Sequence, residues 1–159
     1  MTSRLLLIAA LGASLAGSAF AAELATKKSL TLELAKGIAE AAQSHAEANN
    51  WAVNIAILDD GGNLLYFQRM DGVQIGSIDV ALRKAESAIK FKRPTLAFSD
   101  GVKSRVQLVS LPGSLAFEGG LPIEHEGQIV GSIGVSGVTA EQDGMIAKAG
   151  ADALSGMLD

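Results

Sequence analysis

Few side chains in this chain have the types and spacing needed for covalent chemistry. Its 159 residues include no cysteine and only two histidines, so thiolate nucleophiles and thiolate metal ligands are excluded. No Gly-x-Ser-x-Gly motif is present, and neither histidine is paired by spacing with a serine or an aspartate. His125 stands between Glu124 and Glu126 at a predicted hairpin tip, which is more typical of a solvated turn than of a zinc site. We therefore do not expect a hydrolase.

Four charged residues are placed so that they could surround a pocket. Arg69 and Asp71 come where a predicted strand ends, and Lys84 lies one to two turns into the helix that follows, with Arg105 further along the chain. These residues could anchor a ligand. In a second interpretation, Lys84 forms a structural ion pair with Asp71 or Glu118. The sequence leaves both interpretations open.

The first half of the chain predicts a helix followed by a hairpin. Thr31 can cap a helix whose apolar positions follow steps of four and three: Leu34, Ile38, Ala41, His45 and Ala48. This stripe places His45 on the buried face. Residues 51–59 then alternate as a strand, and residues 64–70 return antiparallel after the turn Asp60-Gly61-Gly62-Asn63. Asp59 is expected to accept backbone hydrogen bonds in that turn.

The second half predicts two more major helices and three more strands. Ser77 is expected to cap a helix that ends at Phe91, and residues 99–109 have weaker helical character. Predicted strands cover residues 115–117, 121–124 and 128–136, and a Thr-x-x-Gln capping box at Thr139 begins a helix that ends near residue 157. Because hairpins outnumber crossovers, the order indicates an α/β fold of the α+β type, with an antiparallel sheet packed with helices.

One face of the last predicted strand carries small residues: Val130, Ser132, Gly134 and Ser136. Such a face lets a neighbouring subunit, a flat ligand or one of the chain's own helices approach closely. The glycines at 131, 134 and 137 lack the lysine and the order of a phosphate-binding loop, so they indicate a role in backbone packing.

The first residues predict export. Arg4 precedes an apolar run from Leu5 to Leu15, and Ala19-Phe20-Ala21 supplies a cleavage site, so residues 1–21 are expected to be a signal peptide and the mature chain to begin at Ala22. We expect a periplasmic or extracellular protein without a membrane anchor after cleavage. Removing Arg4 leaves 12 of the 13 basic residues against 17 acidic ones, a formal charge of −5, which does not favour nucleic acid as a partner.

Several motifs together resemble one family. They are Asp59-x-Gly-Gly62, Gln68-Arg-Met-Asp71, Leu111-Pro-Gly113, Gly119-Gly120-Leu121-Pro122 and the strand from Gln128 to Ser136 with the helix start that follows it. The chain resembles the GlcG/HbpS family of small haem-binding proteins, which is related to the C-terminal domain of the PduO cobalamin adenosyltransferases. The resemblance covers roughly residues 30–158. It implies a single profilin-like domain with a five-stranded antiparallel sheet over residues 30–159, after a short N-terminal lead of residues 22–29.

The resemblance also implies a cofactor site. Recurrent motif positions of the family fall on residues that we therefore expect near haem: Arg69, Met70, Asp71, Lys84, Gly119, Gly120 and Pro122. His45 is the candidate iron ligand, with Met70 and Tyr66 as alternatives, because imidazole, thioether and phenolate groups can all ligate haem iron. Since a c-type attachment needs Cys-x-x-Cys-His, any haem would be bound non-covalently.

Three functions follow as hypotheses. The first is an exported haem-binding protein that serves as a haem sink, carrier or sensor accessory rather than a turnover enzyme. The second is an enzyme that modifies a small organic acid or a tetrapyrrole, as haem degradation would, with Arg69 and Lys84 anchoring a carboxylate. The third is an oligomeric scaffold for a signalling partner. Family members tend to self-associate, so a homo-oligomer is expected.

Overall fold

A computed structural model describes residues 22–158, which form four α-helices and four strands. In chain order these are α1 (Leu32–Ala48), β1 (Asn54–Asp59), β2 (Leu64–Arg69), α2 (Ser77–Phe91), α3 (Leu96–Val102), β3 (Gly120–His125), β4 (Gln128–Ser136) and α4 (Ala140–Ala153). Short 3₁₀ helices cover Val106–Ser110 and Leu154–Gly156. The predicted signal peptide, residues 1–21, lies outside the described residues.

The four strands form one antiparallel sheet in the order β2-β1-β4-β3. Helices α1 and α4 pack against each other and over one face, where Ile38, Ile57 and Ile133 belong to the larger core cluster. Helix α2 covers the other face through Ala81, Ala85 and Ile89. The predicted antiparallel sheet with helices is therefore confirmed, as three layers. No helix within residues 22–158 has the length and apolarity needed to cross a membrane.

The buried face of α1 is rotated from the predicted stripe. Thr31 caps the helix as predicted, its Oγ1 accepting a hydrogen bond from the Leu34 amide at 3.3 Å. The fully buried positions, however, are Ala35, Ile38, Ala39, Ala42 and Ala46. Alanine fits the close contact between α1 and the sheet, so it takes the interior positions, and His45 lies half-buried at the edge of the stripe rather than on it.

Both hairpin turns follow from local chemistry. Asp59 Oδ1 accepts hydrogen bonds from the Gly61 and Asn63 amides at 2.9 and 2.8 Å, which confirms its predicted role in the first turn. In the second turn, Glu126 and Gly127 both have positive φ, 49° and 73°, as a two-residue hairpin with the twist of its strands requires.

Helix α2 covers the small-residue face of β4. The Ser132 hydroxyl donates a hydrogen bond to the Ala85 carbonyl at 2.9 Å. A Cβ at Gly134 would lie 2.1 Å from the Ala81 carbonyl oxygen and 2.5 Å from the Ala85 nitrogen. The sequence left open whether a neighbouring subunit, a flat ligand or one of the chain's own helices approaches this face. In the structure, the chain's own helix α2 packs against it.

The fifth strand predicted at residues 115–117 is not formed within the described residues. This segment lies between Gly113 and Gly119, which have φ of 79° and 117°, and the Leu115 amide donates to the Ser87 hydroxyl at 3.0 Å instead of to a strand. The likeness to profilin stays a prediction. Ser77 does not cap α2 either: it is the first helical residue, Gly76 precedes it as N-cap, and no side chain caps this end.

Replacing Gly134 with alanine should destabilise the fold. The new Cβ meets backbone atoms of α2, so the helix must move away from the sheet, and we expect a loss of about 1–3 kcal/mol in the free energy of unfolding. Urea denaturation measures this loss. Gly76→Ala is the matched control, because nothing lies within 4 Å of a Cβ there. Equal stabilities for the two variants would contradict the close packing of α2 on β4.

Candidate functional site

The Lys84 side chain is completely buried beneath the start of β3. Its Nζ donates to Asp143 Oδ2 at 2.7 Å and to the Val135 carbonyl oxygen at 2.9 Å, and the two side chains of the ion pair are 0% and 3% exposed. The predicted structural partners were Asp71 and Glu118. That prediction is wrong, because Asp143 is the residue in contact.

Asp143 is held in place by the start of α4. The Thr139 and Gln142 side chains form the predicted capping box, which fixes the first turn of the helix. Asp143 follows directly in this turn, and its second oxygen accepts a hydrogen bond from the Val138 amide at 3.2 Å. Both carboxylate oxygens are therefore occupied.

The Gly119-Gly120 pair lets the chain pass close to this ion pair. A Cβ at Gly119 would lie 2.8 Å from Lys84 Nζ, and one at Gly120 would lie 2.3 Å from the Lys84 carbonyl oxygen. The Gly120 amide donates to the Thr95 hydroxyl at 2.9 Å. Pro122 continues β3 opposite Ser132. The predicted site residues Lys84, Gly119 and Gly120 are thus brought together, and glycine is required for their approach.

Burial dominates the electrostatics of this region. It lowers the pKa of the Lys84 ammonium, and the nearby Asp143 charge acts in the opposite direction. Burial likewise raises the pKa of Asp143, against the effect of Lys84. The pKa of Glu118 is raised by its partial burial and then by the charges of Glu141 and Asp100. Lys84 therefore has no exposed surface, and both of its hydrogen-bond acceptors belong to the fold itself.

Arg69, Met70 and Asp71 lie in a different place. With Gln43, Glu47 and Gln68 they line a groove of about 340 Å³ between the end of β2 and the last turns of α1. Arg69 is exposed and Met70 is half-buried. Neither Lys84 nor the glycine pair lines this groove. The sequence therefore grouped residues that the fold divides between two locations.

His45 lies apart from both locations. Its ring centroid is 6.3 Å from that of Trp51, with the ring planes tilted by 55°. It is absent from the linings of the grooves described here. The arrangement is that of an aromatic contact at the C-terminal end of α1.

The sequence predicted that His125 is a solvated turn residue, and the structure places it elsewhere. It is the last residue of β3, before the turn, and its side chain is only 32% exposed. It lines two grooves, of about 520 and 300 Å³, which also share Leu154. Strand alternation could have indicated this position, because Leu121, Ile123 and His125 follow steps of two.

No cluster of three or more histidine, aspartate or glutamate side chains in the described part of the chain is arranged to hold a metal ion. Iron carried by a porphyrin needs fewer protein ligands, because the ring supplies four nitrogens. One suitable side chain beside an apolar surface would be enough.

Comparison with known proteins confirms the family resemblance. Residues 30–152 match a family described as "Haem degrading protein HbpS-like". Protein GlcG of Escherichia coli K12 is 39% identical over 112 residues, which cover 70% of this chain and 84% of GlcG. A solved double mutant of Streptomyces reticuli HbpS is 36% identical, with a TM-score of 0.77 over 87% of this chain and 98% of that one. A solved complex of PduOC with heme is 26% identical, with a TM-score of 0.71 over 79% of this chain and 94% of that one.

Breaking the buried ion pair should destabilise the protein strongly. Lys84→Met leaves Asp143 as an uncompensated buried charge, and Asp143→Leu does the same to Lys84, so each should cost about 3–5 kcal/mol in the free energy of unfolding. The double variant removes both charges and should cost less than either single change.

The exposed Lys148–Asp152 pair provides the control. Lys148→Met should change the free energy of unfolding by less than about 1 kcal/mol, because both side chains of that pair are more than half exposed. Chemical denaturation of the unchanged chain, the two single variants and the double variant gives the double-mutant cycle, and Lys148→Met is measured beside them. Strictly additive losses at Lys84 and Asp143 would show that the two charges are not coupled.

Proposed function

The chain belongs to the HbpS-like family, and from this we propose that it is an exported protein that binds haem non-covalently. The observation that carries the proposal is the likeness of 79% of this chain to a solved complex of PduOC with heme. Because the sequence has no cysteine, thioether attachment of the ring is excluded and the haem must be exchangeable.

Haem needs an apolar surface, an axial ligand and cations near its two propionates. Arg69 remains a proposed propionate partner, since its side chain is exposed and no ion pair among residues 22–158 includes it. Lys84 is a poor partner because Asp143 and Val135 already occupy it. For the axial ligand, the sequence favours His45, with Met70 and Tyr66 as alternatives. The binding proposal does not depend on which of these is correct.

A role as sink, carrier or sensor accessory agrees with a protein that holds haem without transforming it. Haem degradation is the second candidate, because the family's own description names that activity. Oxidative cleavage of the ring would consume dioxygen and electrons from an external reductant. Adding dioxygen and a reductant to the haem-loaded protein therefore distinguishes haem degradation from haem binding without turnover.

Self-association is also part of the proposal. The small-residue face of β4 is taken by α2 and offers no contact surface. Exposed apolar side chains occur instead in the segment around the first 3₁₀ helix, where Val106, Val109 and Phe117 are 70%, 63% and 58% exposed. Apolar side chains exposed near one another are typical of interaction surfaces.

A haemin titration tests the binding proposal. The mature chain, residues 22–159, should give a saturable shift of the Soret band with a stoichiometry near one haem per chain, and acid extraction should remove all the haem. Heat-denatured chain serves as the control for non-specific adsorption. A Soret shift that rises without saturation would contradict the proposal.

Adding ascorbate and dioxygen to the loaded protein should leave the ring intact. Released iron and a cleaved tetrapyrrole would favour the degradation candidate instead.

The exported form provides a test of localisation and assembly in one preparation. The intact mass of protein recovered outside the cytoplasm should correspond to a chain that begins at Ala22. Sedimentation velocity of the same sample should give a mass that is a multiple of the monomer. Protein found only in the cytoplasm with residues 1–21 attached would contradict export, and a strictly monomeric sample would contradict self-association.

A further inference from the structure

His125 lies where two surface grooves meet at one end of the sheet. The narrower groove, of about 300 Å³, has walls of five aliphatic side chains: Leu30, Leu34, Val130, Leu154 and Leu158. The wider one, of about 520 Å³, runs past Pro122, Ala151 and Leu154. His125 and Leu154 belong to both linings, so the two grooves adjoin at these side chains.

The size and character of this surface suit a large flat apolar ligand. Pockets for such ligands span about 300–1,000 Å³ and are lined mainly by apolar side chains with a few placed polar groups. The aliphatic groove supplies the apolar wall. The imidazole, about one-third exposed, supplies a nitrogen donor at the edge of that wall.

The charges around the grooves distinguish their two ends. The narrow groove opens beside Lys28 and Ser29. The wide groove carries Glu124, Glu126 and Asp152. Lys28 pairs with Glu126, whose carboxylate also lies 3.7 Å from His125 Nε2, and Asp152 pairs with Lys148. Glu124 contributes the negative charge that has no ion-pair partner among the described residues. A dianionic ring would therefore direct its carboxylates away from the acidic groove.

We propose that haem would be held by His125, whose imidazole would ligate the iron, and by the aliphatic groove, which would receive the porphyrin ring. This inference rests on the proposed haem binding and names the site for it. It differs from the ligand favoured by the sequence, because His45 packs beside Trp51 and lines none of the grooves described above. At this site Arg69, which lines a separate groove, would not be a propionate partner.

Haemin and metal-free protoporphyrin IX titrations of four proteins test the assignment. These are the mature chain, His125→Ala, His125→Gly and, as the matched control, His45→Ala. We expect His125→Ala to weaken haemin binding by about tenfold or more and to remove the Soret signature of nitrogen ligation. Protoporphyrin IX should bind the mature chain and His125→Ala with similar affinity, because it has no iron for the imidazole to ligate. Free imidazole should restore the Soret signature in His125→Gly.

The outcomes separate the site from the function. Saturable haemin binding that is lost in His45→Ala and kept in His125→Ala would overturn the assignment while leaving haem binding established. Absence of saturable binding in the mature chain would overturn both. Loss of protoporphyrin IX binding in His125→Ala, with circular dichroism unchanged, would show that the imidazole packs the ring rather than ligating iron, and would also overturn the assignment.

Discussion

The ion pair between Lys84 and Asp143 joins helices on opposite faces of the sheet, across 59 positions of sequence. Lys84 belongs to the helix on one face of the sheet and Asp143 to a helix on the other, and the ammonium also donates to the carbonyl of Val135 at the end of β4. Taking two charges out of water is costly, and only good geometry offsets it. The capping box of α4 and the glycine corner before β3 supply that geometry. The position of each element therefore depends on the others.

Close backbone approach is the second constraint, and it explains the composition of β4. With α2 touching the strand at Ser132 and Gly134, there is no room for larger side chains on that face. The opposite face carries Ile133 and Val135, which pack under α1 and α4. One face of β4 therefore contacts the backbone of α2, whereas the other packs its side chains under α1 and α4. This difference puts α2 on one side of the sheet and the other two helices on the opposite side.

Local signals in the sequence predicted local structure well. Four local features depend only on neighbouring residues, and all are confirmed: the Thr31 cap, the Asp59 turn, the hairpin tip beside Glu126 and the Thr139 capping box. The rotation of α1 was missed because its alanines occur on several sides, so periodicity alone could not identify the buried one. The short segment at residues 115–117 has strand-like composition but finds no neighbouring strand within the described residues.

The partner of Lys84 could not be predicted for a related reason. Fifty-nine positions separate it from Asp143, and their meeting depends on how α2 and α4 cross the sheet. Asp143 also has a sufficient local explanation, since a carboxylate in the first turn of a helix complements the helix dipole. The sequence indicated only the helix-dipole role of Asp143, whereas in the fold Asp143 also pairs with Lys84. The position of His125 in two groove linings was missed for the same reason, because its acidic neighbours already suggested a turn.

The contact between α2 and β4 has a consequence for any molecule that this domain receives. Since backbone packs against backbone there, a guest could not lie between α2 and β4 without separating them. The grooves lie at the margins, bounded by strand ends, helix ends and the N-terminal lead. A molecule held there would arrive and depart with the hydrogen bonds of the sheet intact, so its exchange would not require the domain to unfold.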